Sequence, residues 1–113
     1  MTIRLNGYGV SYATFAAAEG LEAGALAKLS GNREVTAAGA GEAFIGLVVS
    51  VRDHLALVQL AGICTLPYTG EAPAVGYAGL AADGTGGIQA AEGGRQLLIT
   101  AVDSTDNTAE VLL

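Results

Sequence analysis

Hydrophobic and polar positions along this chain alternate in short runs, and clusters of Gly, Asn, Asp and Pro separate the runs. Outside one alanine-rich stretch, that spacing predicts strands rather than helices. Residues 43–51 give the clearest strand, with Ile45, Leu47, Val49 and Val51 on one face and Gly46 and Ser50 on the other. Arg52, Asp53 and His54 separate it from a second apolar run over 55–63, which suits a hairpin with a short loop. One position of that loop is expected to need positive φ, which Asp or His tolerates better than a bulky branched residue. The layout returns at 95–102, where Leu97 and Ile99 alternate with Gln96 and Thr100. Residues 103–107 carry turn chemistry, because Asx side chains bond their own backbone. A last strand follows at 108–113, with Ala109, Val111 and Leu113 on one face. Pro67 places a corner at 66–70, since it has no N–H to donate to a central ladder.

A weak internal repeat runs through these elements. A run at 24–29, a turn at 30–34 and a short run at 35–38 precede the strand at 43–51. Its echo is a run at 76–80, a turn at 83–87 and a run at 88–91, ahead of the strand at 95–102. Two halves of similar order predict a small all-β fold, a β-barrel or β-sandwich built from short antiparallel strands. Residues 13–23 are ambiguous: their alanines favour helix, but Gly20 and Gly24 limit any helix to a turn or two. The first twelve residues alternate without a clear partner. The expected organisation is an extended N-terminal arm over 1–19, docked on something, and a single β domain over 20–113.

Composition changes what such a domain is for. Only 14% of the 113 residues are charged, against roughly 25% in an average soluble domain. Hydrophobic residues make up 51%, but 22 of them are alanine, so the core they can build is thin. Seventeen glycines add backbone entropy that folding must overcome. A thin core under a weakly charged exterior points to stabilisation by assembly, with the surface covered by other protein. The net charge of −6 and five scattered basic residues argue against nucleic-acid binding. No apolar run approaches the roughly 18–20 residues of a membrane span, and the N-terminus lacks a secretory pattern. The expectation is a soluble protein made in the cytoplasm.

Catalytic patterns are sparse. Asp83, Gly84, Thr85 and Gly86 resemble an aspartic-protease signature only loosely and read as a tight turn. Gly7 to Gly9 and Gly39 to Gly41 lack the third glycine and the βαβ context of a dinucleotide site. His54, the lone imidazole, sits with Arg52 and Asp53 in the hairpin loop and reads as a solvated turn. Cys64 falls in an apolar strand, where thiols are inert, and as the one cysteine it forms no internal disulfide. Asp103 and Asp106 lack the oxygen-rich spacing of a calcium loop. No catalytic, cofactor-binding or metal-ligating residue is therefore assigned, and the protein is not expected to be an enzyme. The aromatic residues are the candidates for contact: Tyr8, Tyr12 and Phe15 in the arm, Tyr68 and Tyr77 around the corner.

Several runs together carry a resemblance. They are Ala23 and Gly24, then Lys28, Leu29, Ser30, Gly31 and Asn32, then Phe44, Ile45 and Gly46, and Val58, Gln59, Leu60, Ala61 and Gly62. Thr65, Leu66, Pro67, Tyr68, Thr69 and Gly70 add to it, with Gly76, Tyr77 and the run Leu80, Ala81, Ala82, Asp83, Gly84. Across residues 20–113 the chain resembles small capsid decoration (cement) proteins of tailed bacteriophages and prophages. The resemblance implies an all-β subunit on the capsid exterior that bridges major capsid protein subunits and stabilises the shell without catalysis. It also implies a homo-oligomer, with a trimer favoured and a dimer possible, and no cofactor. His54 departs from the glycine expected at its turn position. The alternative reading is a stand-alone β-module that binds a ligand or carbohydrate.

Overall fold

The computed structural model describes residues 9–113, and every regular element among them is a β-strand. In chain order these are β1 (Ser11–Ala17), β2 (Leu26–Gly31), β3 (Glu34–Ala37), β4 (Gly46–Arg52) and β5 (Leu55–Ala61). The second half follows as β6 (Ile63–Pro67), β7 (Gly76–Ala82), β8 (Ile88–Ala90), β9 (Arg95–Asp103) and β10 (Thr108–Leu112). The first five close a barrel in the order β1-β3-β2-β4-β5, and the rest form a sheet ordered β6-β10-β9-β7-β8. The all-β expectation holds.

The two sets are the same unit used twice. Substituting β6 to β10 for β1 to β5 turns the cyclic order of the barrel into that of the sheet. Each unit has a parallel seam at the same place. In the first, β1 meets β3 with Ala17 opposite Val35; in the second, a single parallel bridge joins Tyr68 to Ile88. Each also carries a β-bulge at the same step of its long hairpin. Val49 is the extra residue between β4 and β5, and Thr100 the extra one between β9 and β10. The repeat expected from 24–51 and 76–102 is therefore present, and it extends to all ten strands.

The bulge decides which face of β4 points inward. Val48 is almost wholly buried and Gly46 is buried with it, whereas Val49 is exposed. This splits the expected grouping of Ile45, Leu47, Val49 and Val51 on one face, since Ile45 and Val51 pack on the barrel core while Leu47 and Val49 do not. The extra residue resets the alternation, so Val51 returns to the first core, while Leu47 packs against the second. Gly46 is required where it stands: a Cβ there would lie 2.1 Å from the Gln59 carbonyl oxygen.

Residues 11–17, expected within the arm, are extended but belong to the barrel, where β1 pairs along β5 and touches β3. The alanines over 13–17 follow the ladder rather than their helix preference, because cross-strand bonds and the inward packing of Phe15 outweigh a few tenths of a kcal/mol per residue. The apolar run 55–63 is likewise two strands. Gly62, at φ 98°, turns the chain from the first unit into the second. Buried Gln59 stabilises that crossing, its Nε2 donating to the carbonyls of Ala61 and Ile63 at 3.2 and 3.1 Å. In the β4–β5 turn both Asp53 and His54 have positive φ, at 52° and 64°, where one such position was expected. That is the type I′ geometry, which matches strand twist.

Two cores result, and they are not independent. Ala27, Val35, Val48, Ala56 and Val58 fill the barrel, with Leu21 packed on them. Leu66, Leu80, Ile88, Leu97, Ile99 and Val111 form the second core, which is completed by Leu26, Ala38 and Phe44 of the first unit. The 38–45 segment also reaches across by hydrogen bonds: Gly41 N–H donates to Ala82 O at 2.8 Å, and Ala82 N–H donates to Glu42 O at 3.0 Å. From the other side, Arg95 Nη1 donates to the carbonyls of Phe44 and Ile45 at 3.3 and 3.1 Å. Its guanidinium also lies 5.9 Å from the Phe44 ring centroid.

Candidate functional site

The five aromatic residues singled out as contact candidates occupy different environments. Tyr8 lies outside the described residues. Tyr12 stands on the outer face of β1 and is half exposed. Phe15, on the same strand, points into the barrel and packs on its core, so its place is internal. Tyr68 is partly buried against the second core, and its hydroxyl reaches Asn107 Oδ1 at 3.4 Å. Tyr77, on the outside of β7, is 77% exposed, the highest value among the large hydrophobic side chains described. Tyr12 and Tyr77 thus lie on separate units, as outward-facing residues. Leu29, Val49, Leu55 and Val75 are also exposed and had not been singled out. Leu55 and Tyr12 share the outer face because each pairs across the β1–β5 ladder at an even step. Val49 is exposed by the bulge, which no local pattern announces.

Polar groups are arranged as turn supports. Asp83 accepts from Thr69 Oγ1 at 2.6 Å, from Thr85 N–H at 2.7 Å, from Thr85 Oγ1 at 2.8 Å and from Gly87 N–H at 3.1 Å. Partial burial pushes its carboxyl up, but these bonds outweigh it and hold the pKa below the usual value. Asp103 caps the β9–β10 turn by accepting from the N–H groups of Thr105 and Asp106. Glu42 is held low chiefly by the hydrogen bond from Lys28, at 2.5 Å, and secondarily by Gly39 N–H. Burial pushes the Cys64 thiol up to about 11, so at neutral pH it carries no thiolate for nucleophilic attack. Arg52, Asp53 and His54 are all exposed on the hairpin tip. Among the described residues, no group of three or more His, Cys, Asp or Glu side chains is placed to hold a metal ion.

One concavity lies between the units. A groove of about 400 Å³ runs between the 22–26 and 37–38 segments of the first unit and the 84–86 turn of the second. Its walls are close because Gly86 carries no side chain: a Cβ there would stand 2.8 Å from Gly24 O. Glu22 and Thr85 are its polar side chains. The chemistry available is hydrogen bonding from backbone groups, one hydroxyl and one carboxylate.

Large apolar side chains are thus exposed on both halves of the duplicated fold. No protein-family model and no curated protein matches the chain.

Proposed function

We propose that this chain is a structural virion protein that binds the outside of a tailed-phage capsid and stabilises the shell by bridging major capsid protein subunits. The carrying observation is its exterior. Tyr12, Leu29, Val49, Leu55, Val75 and Tyr77 stand exposed over both units of a chain with few charges. Large apolar side chains on a charge-poor surface favour burial against protein, since interface centres are depleted of charge and enriched in Tyr. The resemblance of residues 20–113 to capsid decoration proteins supports the same reading. A two-unit body joined through a shared core is suited to spanning a joint between subunits, and many weak copies on one shell add to a large total. In this reading the protein works on the capsid exterior, performs no reaction and needs no cofactor.

The test is co-sedimentation of the purified chain with empty and with expanded heads of the phage or prophage that encodes it. Retention on either form is expected. A chain that stays in the supernatant with both would reject the proposal.

The groove beside Glu22 and Thr85 favours a second reading, a stand-alone module for a small polar ligand or carbohydrate. A thermal-shift screen and a glycan array address it. A reproducible hit abolished by Thr85→Val would place binding in that groove and rank this reading first.

A further inference from the structure

We infer that the outer face of the barrel, built on Val49, Arg52, Leu55 and Leu57, makes the principal contact with the shell. It fits an uncharged patch of capsid protein that places one carboxylate opposite Arg52. The duplication supplies the comparison that points there. Two rows of outward residues cross β4, β5 and β1 of the first unit: Ser50, Leu57 and Thr14, then Arg52, Leu55 and Ala16. The same ladder steps of β9, β10 and β6 carry Ala101, Glu110 and Thr65, then Asp103, Thr108 and Pro67. The extra residue of each bulge adds Val49 to the first face and Thr100 to the second. A third row is uncharged in both units, with Leu47, Gln59 and Tyr12 in one and Leu98, Leu112 and Ile63 in the other. Tyr77 extends the latter row, which does not set the units apart.

At equivalent backbone positions the other two rows have opposite chemistry. Leu57 and Leu55 stand where the second unit has Glu110 and Thr108, Val49 where it has Thr100, and Arg52 where it has Asp103. This backbone therefore accepts polar and acidic side chains on that face, and folding does not demand the apolar ones. Val49, Leu55 and Leu57 pack against neither core, and Leu55 is 52% and Val49 42% exposed. Their polar counterparts are used inside the fold: Thr100 Oγ1 donates to Glu110 Oε1 at 2.6 Å, and Asp103 caps its own turn. Exposed apolar side chains that serve no core, and that the sister unit replaces, are accounted for by a partner that covers them. Charge says which kind of partner. Residues 63–113 hold −5 of the net −6, from six acidic residues and Arg95. The two barrel rows carry no carboxylate, and their one charged group is the exposed guanidinium of Arg52, with Leu55 across the ladder. A guanidinium set on an apolar surface selects a carboxylate by two-point contact. The leucines and valine around it match an uncharged patch.

The choice of face rests on the shell-binding proposal and adds to it where the contact lies and what it recognises. Quantitative co-sedimentation of the full chain with heads tests it, comparing Val49→Thr, Leu55→Thr, Arg52→Asp and Tyr77→Thr. The first three install the residue that the second unit carries at the same backbone position, so all are expected to melt close to the wild type. The expected result is binding weakened about tenfold or more by Leu55→Thr and by Arg52→Asp, measurably by Val49→Thr, and less than threefold by Tyr77→Thr. Barrel variants that bind like the wild type, or weakening by Tyr77→Thr as large as that by Leu55→Thr, overturn the choice of face while the proposed function stands. Sedimentation of the free chain covers the other occupant. Should the barrel substitutions dissolve an oligomer of the free chain and leave head binding intact, the face belongs to a second copy and the inference is overturned. A wild type that ignores heads rejects the proposed function itself, and this inference with it.

Discussion

The Asp83 carboxylate ties the β7–β8 turn to the corner at Thr69, accepting three hydrogen bonds at Oδ1 and one at Oδ2, all of them stronger when it is ionised. Asp83→Asn keeps the shape but removes the charge that strengthens these bonds and forces the Thr69 hydroxyl to accept where it now donates. A loss of about 1–2 kcal/mol in denaturant unfolding is expected at neutral pH. Asp83 and Glu42 both have lowered pKa values in the folded chain. Their stabilisation is present above the ordinary carboxylate range, about 4, and is lost as pH falls through their folded values. Unfolding midpoints measured from pH 7 to pH 2 should hold steady and then fall below about pH 4. Asp83→Asn should start lower and fall less. At the β4–β5 turn, His54 sits at φ 64°, where a Cβ is disfavoured. His54→Gly should raise stability by about 0.5–1 kcal/mol, read from the shift in denaturation midpoint. The turn at 83–87 and the Asx turn at 103–107 were legible in the sequence, because both depend on residues within a few positions of each other. The second positive φ at the hairpin was not, since strand twist selects it.

At the scale of elements, β4 carries the main lesson. Its apolar content marks a strand plainly, but its inward residues are Gly46 and Val48 before the bulge and Val51 after it. Leu47 faces out of the barrel and is apolar because the second unit covers it. Nearly continuous apolar sequence arises here because both faces are buried in part, and alternation then loses its power to choose between them. Gly46→Ala tests the close approach of β4 to Gln59. With a Cβ 2.1 Å from a backbone oxygen, the strands must separate, and a destabilisation of about 3 kcal/mol or more, or an insoluble product, is expected. β1 shows the opposite case. Its weak sequence signal reflects a strand held by β5 along its length but by β3 only at Ala16 and Ala17.

Across the whole molecule, the units are coupled through a shared core and through Arg95. Because Leu26, Ala38 and Phe44 complete the second core from the first unit, neither half buries its apolar surface alone. Thermal and denaturant unfolding should therefore give one transition, superimposable by circular dichroism and tyrosine fluorescence. Two separated steps would contradict the coupling. Arg95→Met removes both donors to the 44–45 carbonyls while retaining much of the aliphatic packing. A loss of about 1–3 kcal/mol is expected, with the single transition preserved.

Taken alone, the sequence determined that this protein is all-β, where its C-terminal hairpin lies, that the chain turns a corner just after Pro67, and that an internal repeat is present. Each of these rests on period, turn chemistry or residue type within a short window. The tertiary structure alone decided the inward face of β4, the change of sheet at Gly62, the burial of Leu26 and Phe44 in the opposite unit, and the exposure of Tyr77. These depend on which distant strand lies alongside, and that is set by ring closure and by the packing of one duplicated unit against the other, for which a linear pattern holds no local signal.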